Sequence, residues 1–102
     1  MTIAMQGDFG KPRPALIIQS DQFSEHATVT VLLVSSTMVD APLLRVAVQP
    51  SKENGLQKSS QVMVDKTMTL KRDTLGESFG RLNPEAMLEV ERCLAVFLGI
   101  AK

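Results

Sequence analysis

The chain contains few side chains of the kinds that usually carry out catalysis. Its 102 residues include one histidine, His26, and one cysteine, Cys93. A single cysteine excludes an intramolecular disulfide and a CxxC redox pair, and one His with one Cys cannot complete a zinc site of soft ligands within one chain. We expect His26 in a surface loop and Cys93 as a small, partly buried helix residue. The side chains that remain for catalysis are those with arginine, hydroxyl and carboxylate groups.

One arginine is poorly placed for packing and well placed for a ligand. Arg13 lies between Pro12 and Pro14, where a glycine-containing loop meets the apolar run at residues 15–18. Proline fixes the backbone on either side and bars the preceding residue from a helix. The pattern therefore predicts an arginine at a loop-to-strand junction.

Short β-type segments must position these groups. We predict strands at residues 2–5, 15–18, 28–34, 44–48, 61–64 and 77–82. The third is apolar enough to be covered on both faces, and it ends in three hydroxyl residues, Ser35, Ser36 and Thr37. Asn54–Gly55 predicts a turn before the fifth strand, and Gly80 predicts a bulge or a close approach of two backbones.

The hydrophobic period changes after Leu82. Asn83 suits a helix N-cap and Pro84 the first helical position, and Gly99 suits the residue that ends the helix. Apolar residues then fall on one stripe, at positions 87, 90, 94, 97 and 98. We predict a helix over residues 84–98 that covers one face of the sheet.

These elements predict a mainly β (β-rich α+β) chain: one domain over residues 1–102, a small antiparallel β barrel with one C-terminal α-helix. No apolar run approaches 18 residues and the start lacks a basic region, so we expect no membrane span, no signal peptide and a cytoplasmic protein. Eleven basic and eleven acidic residues argue against loose binding of nucleic acid through bulk charge. Residues 51–82 are mildly basic.

Several stretches resemble the PemK/MazF family of toxin endoribonucleases, in family order along nearly the whole chain. They are GDFGKPRPALII (7–18), VLLVSS (31–36), AP (41–42), ENGL (53–56), SQVMVDK (60–66) and GRL (80–82). The resemblance implies an SH3-like barrel of the CcdB/PemK type, a homodimer, and sequence-specific cleavage of single-stranded RNA without a metal or other cofactor. It also implies a toxin of a type II toxin-antitoxin system whose antitoxin, acidic and disordered when alone, covers the RNA groove.

Metal-independent cleavage requires the ribose 2′-hydroxyl to attack the neighbouring phosphorus, so the protein must stabilise negative charge and exchange two protons. Arg13 suits charge stabilisation, because a guanidinium binds two phosphate oxygens and its pKa above about 12 makes it a poor base. The resemblance matches Ser35 to the family's catalytic hydroxyl, with Ser36 or Thr37 in its place if the register is shifted. Asp65 matches an acidic position near the RNA; the alternative is an Asp that caps the turn after a strand.

Further contacts with RNA are expected from Lys11 and Lys66 on the backbone, from Ser36 and Thr37, and from Phe9 as the stacking group. The chain departs from the family pattern at Met63, where some relatives carry an arginine, and this weakens an acid/base role for Asp65. Because the total charge is zero, an RNA site would have to be a groove shared by two chains.

Two alternatives to the endoribonuclease stay open. The first is a gyrase-poisoning toxin of the CcdB type, which shares the fold and has a Trp before a terminal Gly-Ile. This chain has Phe97-Leu98-Gly99-Ile100 and no Trp. The second is a non-catalytic barrel that only binds a partner, with Arg13 buried in a structural ion pair.

Overall fold

The computed structural model describes residues 2–6, 13–23 and 25–100. The elements are β1 (Thr2–Gln6), β2 (Arg13–Ile17), β3 (Thr28–Ser35), β4 (Arg45–Val48), β5 (Ser60–Lys71), β6 (Leu75–Arg81) and α1 (Pro84–Phe97), with 3-10 turns at Asp21–Phe23 and Arg72–Thr74. The strands form one antiparallel sheet in the order β4-β5-β3-β2-β1-β6. The predicted mainly β class with one C-terminal helix is confirmed. Within the described residues, no helix combines the length and apolar character needed to cross a membrane.

Strands β4 and β6 lie at the two ends of the sheet order, and the loop that follows β4 contacts β6. The backbone N–H of Arg81 in β6 donates to the carbonyl of Glu53 in this loop at 2.8 Å. A six-stranded sheet whose last strand contacts the loop that follows its first strand is strongly curved, because a flat sheet would keep its two ends far apart. The curvature gives the molecule the barrel-like form that the sequence predicts.

Both faces of the central strands are buried. Leu32 and Val34 of β3 belong to a large apolar cluster that includes Met87, Val90 and Cys93 of α1. Val29 and Val31 of the same strand belong to a second cluster, whose other buried members are Ala15 and Leu70. The prediction that residues 28–34 form a strand covered on both faces is therefore confirmed, and α1 covers β4 and β5 on one side.

Helix α1 begins where the sequence predicts and ends one residue earlier than the predicted 98. The Asn83 side-chain oxygen accepts a hydrogen bond from the backbone N–H of Ala86 at 2.8 Å, which satisfies one of the unpaired donors of the first turn. Pro84 occupies the first turn, where no N–H is needed. The helix ends at Phe97, and Gly99 follows with φ of 77°, the left-handed conformation that glycine adopts readily.

Strand β5 is longer than the sequence predicts. The expected strand covered residues 61–64, with Asp65 as a possible turn-capping residue after it, but β5 runs from Ser60 to Lys71 and the capping alternative is wrong. The register pairs Val34 with Val62 but Leu32 with Thr67, so on the β3 side four residues of β5, 63–66, lie opposite Leu33 alone. An insertion of this kind bends a strand and re-aims its side chains. Asp65 and Lys66 lie in this bulged segment of β5.

Cys93 is more deeply buried than expected, and its chemistry follows from that position. Its Sγ lies 3.7 Å from Oε1 of Glu89 one turn earlier. Burial first, and then the Glu89 carboxylate, raise the pKa of the thiol, while the charge of Arg92 lowers it in part. Folding thus favours the neutral thiol. The contribution of Cys93 to the free energy of unfolding is present below the ordinary thiol pKa, and it is lost as the pH rises through the raised pKa.

We expect Cys93 in the folded chain to react with a disulfide reagent at pH 8 at least about tenfold more slowly than in the unfolded chain, because only the thiolate attacks. Absorbance after addition of Ellman's reagent, in buffer and in urea, measures both rates. Equal rates in the two solutions would contradict the buried thiol.

Candidate active site

A groove of about 770 Å³ opens where β3 ends, between the start of β2 and the loop that joins β4 to β5. Its described lining comes from four separate parts of the chain: Arg13, Pro14, Val34, Ser35, Ser36, Thr37, Gly55, Leu56, Gln57, Lys58, Ser60 and Phe79. The groove therefore contains the arginine and all three hydroxyl residues that the sequence predicts as functional.

Arg13 and Ser35 face each other across two neighbouring strands. The last recorded pair joins Ala15 of β2 to Leu33 of β3, and continuing this register by two residues places Arg13 opposite Ser35. Residues opposite each other in an antiparallel pair project on the same face, with Cβ atoms about 5 Å apart. Arg13 is exposed at the first position of β2, and Ser35 is half-buried at the last position of β3.

The hydroxyl of Ser35 is held by the turn that follows it. Its Oγ accepts a hydrogen bond from the backbone N–H of Thr37 at 3.0 Å. This contact uses an acceptor site of the oxygen and leaves its hydroxyl proton able to donate to a ligand in the groove. Ser36 and Thr37 are exposed and line the groove beside it.

A buried glutamine fixes the segment beyond the hydroxyl residues, and sequence analysis did not single it out. Gln61 of β5 lies opposite Ser35. Its Oε1 accepts from the Val39 N–H at 3.0 Å, and its Nε2 donates to the Val39 carbonyl at 2.9 Å. Nη1 of Arg45 donates to the same Oε1 at 3.3 Å. The amide thus pairs with Val39 as a strand backbone would, and it restrains the chain that leaves Thr37.

The opposite wall of the groove is a loop built around Asn54, which is only 2% exposed. Its Oδ1 accepts from the N–H groups of Ser51 at 3.0 Å and Leu56 at 2.9 Å. Its Nδ2 donates to the Gln49 carbonyl at 2.8 Å, and its own N–H donates to Oγ of Ser51 at 3.1 Å. The turn predicted at Asn54–Gly55 is confirmed. The Asn54 side chain stabilises it through hydrogen bonds to both ends of the loop.

The loop is also in direct contact with β6 at two glycines. A Cβ on Gly80 would lie 2.1 Å from the Asn54 carbonyl oxygen, so the close backbone approach predicted at Gly80 is confirmed. A Cβ on Gly55 would lie 2.8 Å from Cδ1 of Phe79, so the phenyl ring packs against the main chain of residue 55. These contacts place Phe79 at the wall of the groove.

The groove has a positive electrostatic character. Its described lining carries two cationic side chains, Arg13 and Lys58, and no carboxylate. Within the described ranges, the ion pairs join Lys66 to Asp65 and Arg92 to Glu89, so neither involves a groove residue. A guanidinium, an ammonium and several hydroxyl donors in one groove form a site for an anion such as phosphate.

The remaining predicted residues lie elsewhere. Asp65 and Lys66 are in the bulged segment of β5, with their charged groups 4.0 Å apart, and neither lines the groove of this chain. Gln61 pairs with Ser35 at the end of β3, whereas Asp65 lies in the bulge between the residues paired with Val34 and Leu32. Among the described contacts, Oδ1 of Asp65 is buried with no hydrogen-bond partner. Lys11 and Phe9 fall outside the described residues.

His26 lies in an exposed loop, as predicted, and has a structural neighbour in Arg72. Nε of Arg72 donates to the His26 carbonyl at 2.8 Å, and its Nη2 reaches the carbonyls of Phe23 and Thr28 at 3.3 and 3.4 Å. The imidazole packs edge-on against the Phe23 ring. His26 is not among the residues that line the groove.

Known proteins are similar to this chain in both sequence and fold. The family described as "PemK-like, MazF-like toxin of type II toxin-antitoxin system" matches residues 3–98. A probable endoribonuclease MazF of Mycolicibacterium smegmatis is 46% identical over 101 residues, which are 98% of this chain and 93% of that protein.

Solved structures of known proteins are also similar to this chain in fold. An endoribonuclease from Mycobacterial species, in complex with its cognate antitoxin, has a TM-score of 0.83 and 27% identity, over 99% of this chain and 94% of that one. The toxin MazF-mt6 of Mycobacterium tuberculosis, at 22% identity, covers all of both chains with a TM-score of 0.86 and shows the fold. The sequence prediction is thus confirmed in class: the chain is an endoribonuclease toxin and belongs to the PemK-like, MazF-like toxins of type II toxin-antitoxin systems.

Proposed function

We propose that this toxin cleaves single-stranded RNA at specific sequences, without a metal ion, in the groove between Arg13 and the loop around Asn54. The observation that carries the proposal is the placement of Arg13 opposite Ser35 in a groove whose described lining is cationic and rich in hydroxyls. Such a lining favours a phosphodiester and offers donors where negative charge develops.

The proposed reaction is an internal displacement. The ribose 2′-oxygen forms a bond to phosphorus, and the bond from phosphorus to the 5′-oxygen of the next nucleotide breaks. The products are a 2′,3′-cyclic phosphate and a 5′-hydroxyl; the 2′-hydroxyl proton is lost to a base and one proton is gained by the leaving oxygen. Arg13 binds the phosphoryl oxygens, and the Ser35 hydroxyl donates to one of them while the Thr37 N–H holds its orientation.

The groove of one chain contributes charge stabilisation more clearly than proton transfer. Its described lining contains neither a carboxylate nor an imidazole, so we propose that both protons exchange with water. Asp65 remains a prediction from the family resemblance. Because it lies in the bulged segment of β5, away from the groove of its own chain, a role in the reaction would require the groove of a second protomer.

We propose a homodimer that acts in the cytoplasm and is inhibited by a cognate antitoxin. A dimer doubles the number of groove cations facing one RNA, which suits a chain whose net charge is zero. Support also comes from the exposed apolar side chains of Phe97, Leu98 and Ile100 at the end of α1. An acidic antitoxin segment would be attracted to the same groove as the RNA phosphates.

The test uses purified toxin and a long single-stranded RNA in the presence of EDTA. We expect discrete fragments with 5′-hydroxyl and 2′,3′-cyclic phosphate ends, and sequencing of the 5′ ends gives the recognised site. A 2′-deoxy substitution at the cleaved ribose removes the nucleophile and should stop the reaction. Intact RNA would overturn the proposal, and gyrase trapped on DNA by the same protein would support the CcdB-type alternative.

Substitution of Ser35 by alanine tests which hydroxyl acts on the phosphate. We expect kcat to fall about 10- to 100-fold, since a hydrogen bond to a charged group contributes about 1.5–3 kcal/mol. Single-turnover cleavage of a short RNA containing the mapped site measures the rate. Ser36→Ala and Thr37→Ala should cost less, and Ser59→Ala, outside the groove lining, should have no effect. A larger loss in Ser36→Ala would transfer the role to Ser36.

A further inference from the structure

We propose that Phe79 is a stacking platform for one nucleobase of the RNA and thereby helps to determine which sequence is cleaved. The inference rests on the proposed function, because it places this base in the same groove as the phosphate bound by Arg13. The sequence predicts Phe9 as the stacking group; the role of Phe79 follows only from the way in which β6 pairs with β1.

Phe79 occupies an irregular position in the sheet. Ile3 of β1 pairs with Gly80, whereas the next residue, Ala4, pairs with Ser78. Phe79 is therefore the extra residue of a β-bulge and has no partner on β1. A bulge breaks the alternation of side chains and can aim one of them away from the sheet. The Phe79 ring accordingly lines the groove and remains 37% exposed.

The ring is held in place before any ligand binds. It packs on the main chain at Gly55, where a Cβ would come within 2.8 Å of Cδ1. The next residue, Gly80, packs closely against the Asn54 backbone, and Asn54 is fixed by three side-chain hydrogen bonds and one from its backbone N–H. An aromatic side chain that is already rigid loses little conformational entropy when a base stacks on it.

The neighbours of Phe79 suit a nucleotide. Gln57 and Lys58, on the same wall of the groove, offer an amide for a base edge and a cation for a phosphate. Arg13 and Ser35 occupy the opposite wall. The groove thus combines phosphate-binding groups with an aromatic surface, and flat stacking surfaces are the usual means of holding an unpaired base.

Phe23 provides a comparison within the same chain. It is 42% exposed, slightly more than Phe79, yet it lies in the loop beside His26 and does not line the groove. Exposure alone therefore does not distinguish Phe79, whereas its position in the cationic groove does. Phe23→Leu is the matched control for Phe79→Leu, because both changes remove one exposed phenyl ring.

The test combines a protein substitution with a substrate substitution. Phe79→Leu keeps an apolar side chain but removes the aromatic face, and we expect kcat/KM for the mapped RNA to fall about 5- to 150-fold. Each nucleotide flanking the cleaved bond is then replaced in turn by an abasic ribonucleotide. At one position, the losses from Phe79→Leu and from the missing base should overlap instead of multiplying, and at the other positions they should multiply.

A binding measurement makes the result independent of catalysis. A non-cleavable 2′-O-methyl RNA carrying 2-aminopurine at the candidate position should lose fluorescence on binding to wild-type protein and to Phe79→Trp. The loss should be absent with Phe79→Leu and present with Phe23→Leu. Thermal denaturation of each variant checks that it is folded, and Phe79→Tyr, which keeps the ring, should retain activity if the platform role is correct.

The outcomes separate the two proposals. RNA left intact by wild-type protein, with 2-aminopurine quenched through Phe79, would overturn the proposed cleavage but not the stacking role. Normal cleavage by Phe79→Leu, or losses that multiply at every position, would overturn the stacking role and leave the endoribonuclease assignment in place.

Discussion

Substitution of Arg13 by alanine is expected to lower kcat/KM for RNA cleavage by about 100- to 1000-fold, the typical cost of removing one preorganised donor to developing negative charge. The fold should be unaffected, because Arg13 is exposed at the start of β2 and its aliphatic stem covers little of the core. Single-turnover cleavage and thermal denaturation together distinguish a loss of chemistry from a loss of structure.

Two further variants define the role of this arginine. Arg13→Lys keeps the charge but loses the two-pronged geometry of the guanidinium, so we expect activity between wild type and Arg13→Ala. Arg92→Ala removes an exposed arginine of α1 that pairs with Glu89 at 3.1 Å, far from the groove lining, and should leave cleavage unchanged. Full activity in Arg13→Ala would show that the groove is not the site of the reaction.

Substitution of Gly80 by alanine should have the largest effect on stability. The added Cβ would lie 2.1 Å from the Asn54 carbonyl oxygen and 2.3 Å from its carbon, and both are backbone atoms that cannot rotate away. We expect a loss of about 3 kcal/mol or more in the free energy of unfolding, at the upper end of overpacking effects. In a chain of this size each kcal/mol lowers Tm by about 4–8 °C.

Gly99→Ala is the matched comparison, because it adds the same methyl group without the collision. Gly99 has φ of 77° and no atom of the described residues lies within 4 Å of the added Cβ. Its cost should be the conformational strain alone, about 1–2 kcal/mol. Urea denaturation of both variants measures the difference. Similar losses would mean that the loop moves aside easily, and Gly80→Ala would then also keep its activity.

The sequence allowed accurate prediction where a single local rule decides the structure. Asn83 and Pro84 fix the start of α1 through a cap and a proline that needs no N–H, and Gly99 follows the end with a positive φ. In the same way, the continuous apolar run of β3 indicates a strand buried on both sides. Neither feature depends on a distant part of the chain.

The second half of β5 could not be predicted in this way. After Asp65 the strand continues with Thr67 and Thr69 on its exposed side, and a polar alternation of this kind is also compatible with a loop. The bulged segment at residues 63–66 interrupts the pairing, and only the register with β3 shows that the strand resumes. A turn-capping Asp65 was therefore a reasonable but wrong expectation.

The residues of the active site also differ in whether a local sequence signal predicts them. Arg13 and Ser35 have sequence signals, two prolines and the end of an apolar run, that place them at strand ends. Lys58, Phe79 and Gln61 have none, because the fold and not a local pattern brings each of them to the groove or its supporting segment. Phe79 reaches the groove through a bulge, and Gln61 acts through its two hydrogen bonds to Val39.

Strand β4 has a consequence for how the protein behaves at high concentration. It lies at one end of the sheet order, and a chain with equal numbers of acidic and basic residues has little long-range repulsion to keep molecules apart. β4 limits this hazard by its form: it spans only Arg45–Val48, opens with a charged residue and is followed by Pro50, which cannot extend a hydrogen-bonded ladder. We therefore expect the short, interrupted form of β4, and not the net charge of the chain, to limit edge-to-edge association at high concentration.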